Sequence, residues 1–372
     1  MKMPANVCSF CVMDESIAPL QFDQDGRCNC CKEAETLLLQ NTLNVDLEQD
    51  LLASFVTKLK KARQHEQYDC MIGLSGGVDS AYLAHVLHAD YGLRMLAVHI
   101  DGGWNTAPAV RNIEKVVRAL NLDLLTVVIE WSEMRDLQLS FLRSGVLNQD
   151  MPQDHAFFAS LYRIARQLGI TTFASGVNLA TESVVQRNAG YPSIDGRHVR
   201  KIHQLHGLKP LPTFPIITYP QFLYQTKILR TPQIVCPLNW ITYDKAGAIH
   251  LLEQLYGWQD YGVKHSESRF TSFYQEIFLP RKLGFDKRRL HLSSLIVAKQ
   301  ISRQEALEEL GRPVISGDSA RRNIRYVAKK LHITVDELED LIDRPIMPHR
   351  AYPGDLHLIQ FANRIKTLAN MG

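Results

Sequence analysis

Six residues, Ser75-Gly76-Gly77-Val78-Asp79-Ser80, restrict what this chain can fold into more than any other segment. They follow a short apolar run, Asp69-Cys70-Met71-Ile72-Gly73-Leu74, and open a stretch in which Leu83, Val86 and Leu87 fall on one helical face from Ala81 to about Tyr91. A strand feeding a glycine turn at a helix N-terminus points several backbone N–H groups at one place, with the helix dipole behind them. That place suits phosphate oxygens. Gly76 and Gly77 allow close backbone approach, Ser75 and Ser80 add hydroxyl donors, and Asp79 can hold a Mg²⁺ ion accompanying the phosphates. The Gly-Lys-Ser/Thr ending of the kinase-type phosphate loop is missing, so a different nucleotide chemistry is implied. The alternative is a plain helix cap with packing glycines.

Strand and helix signals alternate downstream. Arg94–Gly103, Asp123–Ile129 and Ile170–Ser175 read as strands; about Ala107–Leu120, Asp136–Arg143 and His155–Leu168 read as helices. This alternation predicts an α/β fold with a doubly wound parallel sheet. Ligands of such sheets lie at the carboxyl ends of the strands, which puts His99 and Asp101 beside an adenosine, and Gly176 and Asn178 at the next strand end. Glu182 is the nearest carboxylate to that turn and a second candidate for Mg²⁺.

Five of the seven cysteines fall within the first 31 residues. Cys8 with Cys11, and Cys28 with Cys31, form two Cys-x-x-Cys knuckles that can close a tetrahedral Zn²⁺ site without an open position for water; Cys30 is an extra thiol inside the second. A net charge of +3 on 372 residues offers no whole-chain case for nucleic acid. The start of the chain has no apolar segment of secretory type and no run is long enough to span a bilayer, so a cytoplasmic protein without membrane insertion is expected. From Gln186 to about Pro237 the chain is rich in Pro, Gly, His and aromatics, with Arg187, Arg197, Arg200, Lys201 and Lys209 making it locally basic; it reads as a long loop, a lid or a cradle for an anionic acceptor. Capping signals at Ser302, Ser316 and Thr334 predict a helical C-terminal part.

Ser-Gly-Gly-Val-Asp-Ser resembles the PP-loop of the ATP pyrophosphatase superfamily, which cleaves ATP to AMP and pyrophosphate and activates an acceptor oxygen as an adenylate. The resemblance places ATP on Gly73, Leu74, Ser75, Gly76, Gly77, Val78, Asp79 and Ser80, with Asp79 and Ser80 in catalysis. Tyr261-Gly262-Val263-Lys264-His265-Ser266-Glu267-Ser268-Arg269-Phe270-Thr271 and Arg281-Lys282-Leu283-Gly284-Phe285-Asp286-Lys287-Arg288-Arg289-Leu290-His291-Leu292-Ser293 narrow it further. With the four cysteines and the loop, they resemble N-acetyl sugar amidotransferases of bacterial O-antigen (lipopolysaccharide) biosynthesis, over about Cys8 to Leu310. Cys30 departs from that pattern, standing where an aromatic is more usual.

The resemblance implies an ATP-dependent, ligase-type amidotransferase acting on a UDP-linked diacetamido uronic acid. Lys264 and Lys287 are the candidate pyrophosphate contacts, Arg288 or Arg289 second choices, and His265 and Glu267 weaker candidates for acid–base work. The sequence has no N-terminal catalytic cysteine and no nucleophile elbow around Cys70 or Cys236, so ammonia is expected from a separate glutaminase subunit. The implied organisation is a zinc-binding segment at 1–43, an amidotransferase domain at 44–300 and a helical extension at 301–372. The chief rival is a tRNA-modifying PP-loop enzyme that thiolates or amidates a base.

Overall fold

A computed structural model describes residues 6–16, 20–47, 51–185, 193–261 and 267–369. Five strands, β1 (Cys70–Gly73), β2 (Met95–Asp101), β3 (Asp123–Val128), β4 (Thr172–Ala174) and β5 (Gln233–Val235), form one sheet in the order β3-β2-β1-β4-β5. Every pairing is parallel. β1 is central because its residues are apolar on both faces. Ile72, Ala97 and Ala174 look to one side, into a core shared with the helices Leu51–Ala62, Val78–His85, Ala107–Ala119 and Lys245–Tyr256. Met71, Leu96 and Phe173 look to the other, against Leu161, Tyr162 and Ile164 of the helix Met151–Gln167. Such two-sided burial requires crossover helices on both faces, which makes the sheet doubly wound.

Strand order reverses between β1 and β4, and the turns after these two strands flank that switch point. The helix after β1 starts at Val78, three residues before the apolar periodicity begins, and runs into a π-helical turn at Val86–Asp90.

The proline-rich stretch is more ordered than its composition predicts. It contains the helix Gly196–His206, whose first turn is capped by Asp195, and the helix Tyr219–Leu223, with Pro220 in the first turn where the missing N–H costs nothing. It also supplies β5, too short to show any alternation in sequence. Residues 186–192, including Arg187, lie outside the described residues.

The C-terminal helices Arg303–Gly311, Gly317–Leu331 and Val335–Asp343 begin at the predicted caps Ser302, Ser316 and Thr334. Val327, Leu331, Leu338 and Ile342 share a core with Trp104, Leu139, Leu142 and Phe270, so this part packs directly on the turn after β2. No helix among the described residues is long and apolar enough to cross a membrane.

Candidate active site

The turn after β1 is shaped by close backbone approaches. Gly76 has φ +93°, and a Cβ there would lie 2.5 Å from the Ala109 carbonyl oxygen, so only glycine fits. Gly176, in the turn after β4, would bring a Cβ to 2.9 Å from the Ser80 backbone nitrogen. The two turns therefore touch. Within the loop Gly77 N–H donates to Ser75 Oγ at 3.2 Å, and Ser80 Oγ donates to the Gly77 carbonyl at 3.2 Å.

Residues remote in sequence complete the loop. The Gly76 carbonyl accepts from Trp258 Nε1 at 3.1 Å and Asn112 Nδ2 at 3.3 Å, and Asn112 in turn pairs twice with the Gln259 backbone. Tyr243 donates its hydroxyl to Asp79 Oδ1 at 2.5 Å. Burial and the Asp79 carboxylate hold the Tyr243 hydroxyl well above the usual phenol range, so it stays a donor and aims Asp79. Glu267 brings its carboxylate against Gly77, and burial together with that carboxylate pushes the neighbouring Tyr261 hydroxyl up as well. None of Tyr243, Trp258 and Asn112 carries a motif. Only the burial of single polar aromatics hints at them.

His99 and Asp101 build the turn after β2. His99 Nδ1 meets the Leu74 carbonyl at 2.8 Å, which fixes the proton on Nδ1 and leaves Nε2 to accept from Asn105 Nδ2 at 2.9 Å. Asn105 also donates to Asp101 Oδ1 at 2.9 Å, which accepts from Gly103 N at 2.7 Å as well. Both side chains thus tie β2 to the loop. Lys330 clamps the same turn from the C-terminal side, donating to the Gly103 carbonyl while its ammonium sits 5.1 Å from the Trp104 ring and 4.7 Å from the Trp131 ring.

Asn178 caps the helix Leu179–Glu182, accepting from Thr181 N at 2.9 Å and donating to the Gly176 carbonyl at 3.1 Å. Glu182 ends that helix, half-buried near Cys236.

The basic residues of the second half separate into different roles. Arg288 is held by Asp286 at 2.7 Å and by Glu309, and Arg289 by Asp14 at 2.8 Å; both are structural. Lys287 makes no ion pair among the described residues and sits within the field of Asp150 and Asp154. Lys264 and His265 lie outside the described residues.

Cys8, Cys11, Cys28 and Cys31 are buried, with all four sulfurs within 4.8 Å of one another. Cys8 and Cys31 stand 3.8 Å apart, and Cys11 and Cys28 3.6 Å. Backbone N–H groups of Cys11, Met13, Cys28 and Cys31 donate to these sulfurs at 3.2–3.5 Å, an arrangement that stabilises thiolates. The set fits a metal ion. Cys30 is excluded from it; its thiol lies 4.0 Å from Asn29 Oδ1.

The knuckle is clamped to the C-terminal half. Arg303 donates to the carbonyls of Cys11 at 3.1 Å and Cys8 at 3.0 Å, and Arg289 donates to Val12 at 2.6 Å. The helix Arg288–Val297 lies beneath, its Ser293 bonded to Val12 and its Ser294 to Val184, while His291 meets the Thr181 carbonyl at 3.0 Å.

The remaining cysteines are poor nucleophiles. Burial and Asp69 push the Cys70 thiol up to about 12, and burial with Glu182 raises that of Cys236.

A curated relative, the glutamine-hydrolyzing GMP synthase of Chlamydia caviae, is 26% identical over 149 residues, 39% of this chain; the match spans about a quarter of that protein's length (26%). Among solved structures, NMN synthetase from Francisella tularensis matches 86% of this chain and 98% of its own at 15% identity and a TM-score of 0.28. The U34-tRNA thiolase NcsA of Methanococcus maripaludis, with its [4Fe-4S] cluster, matches 81% and 90% at 14% and 0.32. The NH3-dependent NAD synthetase of Campylobacter jejuni matches 75% and 99% at 14% and 0.31. Residues 267–366, which bring Glu267 to the phosphate loop and Arg289 and Arg303 to the cysteines, match the profile of the C-terminal domain of LPS biosynthesis protein WbpG-like sequences.

Proposed function

We propose that the protein is an ATP-dependent amidotransferase that converts an acetamido group of a UDP-linked diacetamido uronic acid into an acetamidino group. One observation carries the reading: Glu267, the first residue of the lipopolysaccharide-biosynthesis domain, lies on Gly77 of the phosphate loop. Nucleotide loop and sugar-pathway segment thereby share one site. The partial likeness to a glutamine-hydrolyzing GMP synthase is in keeping with this reading.

An amide oxygen is a poor leaving group, and ammonia alone does not displace it. In the proposed reaction that oxygen attacks the α-phosphorus of ATP and the bond to pyrophosphate breaks. The product is an O-adenylated imidate. Ammonia adds to its carbon, the C–O bond to AMP breaks, and loss of a proton leaves the amidine. The N–H groups of Gly76 to Ser80 and the helix dipole hold the phosphates, and Tyr243 orients Asp79. Mg²⁺ held by Asp79, with Glu182 as a second candidate ligand, would neutralise pyrophosphate charge. His99, Asp101 and Asn178 act by shaping the turns that border the nucleotide. Lys264 is the candidate for the pyrophosphate.

Zinc is the ion proposed for the cysteines. Zn–S bonds of about 2.3 Å in a tetrahedron set sulfurs about 3.8 Å apart, close to the spacings in this site. A [4Fe–4S] cube would hold its thiolates further apart, one at each corner. With Cys70 and Cys236 poorly activated, ammonia is proposed to come from a separate glutaminase subunit. The raised Cys236 thiol also weighs against the rival tRNA thiolase, which needs a reactive sulfur carrier. The segments 1–43, 44–300 and 301–372 are proposed as the metal, catalytic and supporting parts.

The test is product analysis with ATP, Mg²⁺, ammonium chloride and UDP-diacetamido uronic acids. Sugar-dependent release of AMP and pyrophosphate, with a sugar product about one mass unit lighter, is expected. Turnover triggered by tRNA and by no sugar would replace the reading with its rival.

A further inference from the structure

A second cluster of polar side chains lies next to the phosphate loop. Asp150 caps the helix Met151–Gln167, and Asp154 stands one turn further on. Asp150 is 8% exposed and Asp154 beside it is exposed, so the pair spans the step from the interior to the surface. Asp150 Oδ1 accepts from Gln153 Nε2 at 3.0 Å and Thr271 Oγ1 at 3.2 Å, and Asp154 Oδ2 accepts from Ser193 Oγ at 3.1 Å. The second oxygen of each carboxylate has no hydrogen bond among the described residues.

Two further groups point to a ligand. Tyr274 is 8% exposed and its hydroxyl makes no hydrogen bond among the described residues, although Asp150 and Asp154 are the charges acting on it. It sits on a π-helical turn, Tyr274–Phe278, a local irregularity frequent at functional sites. Lys287, which makes no ion pair among the described residues, lies close enough for its charge to act on the same two carboxylates. The positive charge of Lys287 acting on the carboxylates sets the cluster apart from a cation site.

The cluster's position follows from two consecutive residues. Residue 268 pairs with Asn105 in an antiparallel bridge and is extended (φ −108°, ψ 128°), so neighbouring side chains point opposite ways. Glu267 goes to Gly77 of the phosphate loop, and Ser268 goes to Gln153 at 2.9 Å. The cluster and the loop are back to back across one peptide.

Resting on the function proposed above, we infer that this cluster is the acceptor subsite for a pyranose ring. The second oxygens of Asp150 and Asp154 accept hydrogen bonds from ring hydroxyls, Tyr274 donates to a ring substituent, and Lys287 pairs with the uronate carboxylate.

The test compares Michaelis constants for the UDP-diacetamido uronic acid, and dissociation constants for ATP, in the full chain and in Tyr274→Phe and Asp154→Asn. Loss of a neutral hydrogen bond predicts a sugar KM about 5-fold higher in Tyr274→Phe, and loss of a charged one about 50-fold higher in Asp154→Asn. ATP binding should stay within about 2-fold. An unchanged sugar KM in both active variants overturns the subsite and leaves the proposed function standing; weakened ATP binding in both also overturns it, assigning the cluster to the nucleotide. Absence of sugar-dependent turnover in the unsubstituted protein overturns the function and this inference together.

Discussion

The cysteine knuckle and the phosphate loop are both short motifs, and the structure completes them in opposite ways. All four sulfurs and the N–H groups bonded to them come from residues 8–31; distant Arg289 and Arg303 only dock the finished unit. The loop's six residues are unfinished alone. Asn112, Gly176, Tyr243, Trp258 and Glu267 complete it, from up to 190 positions away. A closed ion site is specified locally, because its chemistry is saturated by its own ligands. A reactive site needs groups whose geometry only the whole fold can set.

The comparison breaks most visibly at the cysteines. Cys8→Ser with Cys11→Ser should abolish metal binding and lower the melting temperature by 10 °C or more, since structural zinc contributes on the order of 10 kcal/mol in small zinc-binding peptides; metal analysis and a thermal melt check this, and full metal content would refute the four-thiolate site. Asp79→Ala should do the reverse, cutting pyrophosphate release at least ~100-fold with the melting temperature nearly unchanged.

Two milder substitutions sharpen the contrast. Arg303→Ala removes two bonds to knuckle carbonyls and should cost about 2 kcal/mol, measured by urea unfolding, while the metal is retained. Tyr243→Phe should slow turnover about 10-fold without loss of stability, because it only frees Asp79; an unaltered rate would show that the tyrosine does not orient the carboxylate.

The acidic cluster gives a pH-dependent measure. Burial, then Asp154, raises the Asp150 carboxyl to about 7, above the unfolded value of about 3.9. The folded state then binds more protons than the unfolded one between these values, so Asp150 makes stability fall as pH rises from about 4 to about 7. Asp150→Asn should flatten that slope and stabilise the protein at pH 8 by about 1–2 kcal/mol, followed by denaturation across pH. No change in slope would show that another group carries it.

These contrasts mark what was legible beforehand. β1 to β4, the loop, the three C-terminal caps and the four cysteines all have local signatures: apolar runs, glycine spacing, Ser/Thr starts, paired Cys-x-x-Cys. β5 has three residues beside Pro232 and forms only because β4 offers an edge. The helix Gly196–His206 was hidden by the prolines that follow it. Tyr243, Tyr274 and Asp150 gain their character from burial, which no spacing reveals. His99 and Asn178 were singled out by their positions at strand ends, and their side-chain bonds to Leu74, Asn105, Gly176 and Thr181 belong to the turns themselves.

The helix Arg288–Val297 lies under the knuckle, bonds through His291 and Ser294 to the segment that follows β4, and begins beside Lys287 at the acidic cluster. A newly made chain that has not captured its ion would leave this helix without one of its supports. Its phosphate loop could be intact in sequence and still lack a properly seated partner wall. Under the proposed function, loss of the ion would loosen this wall and slow ATP turnover.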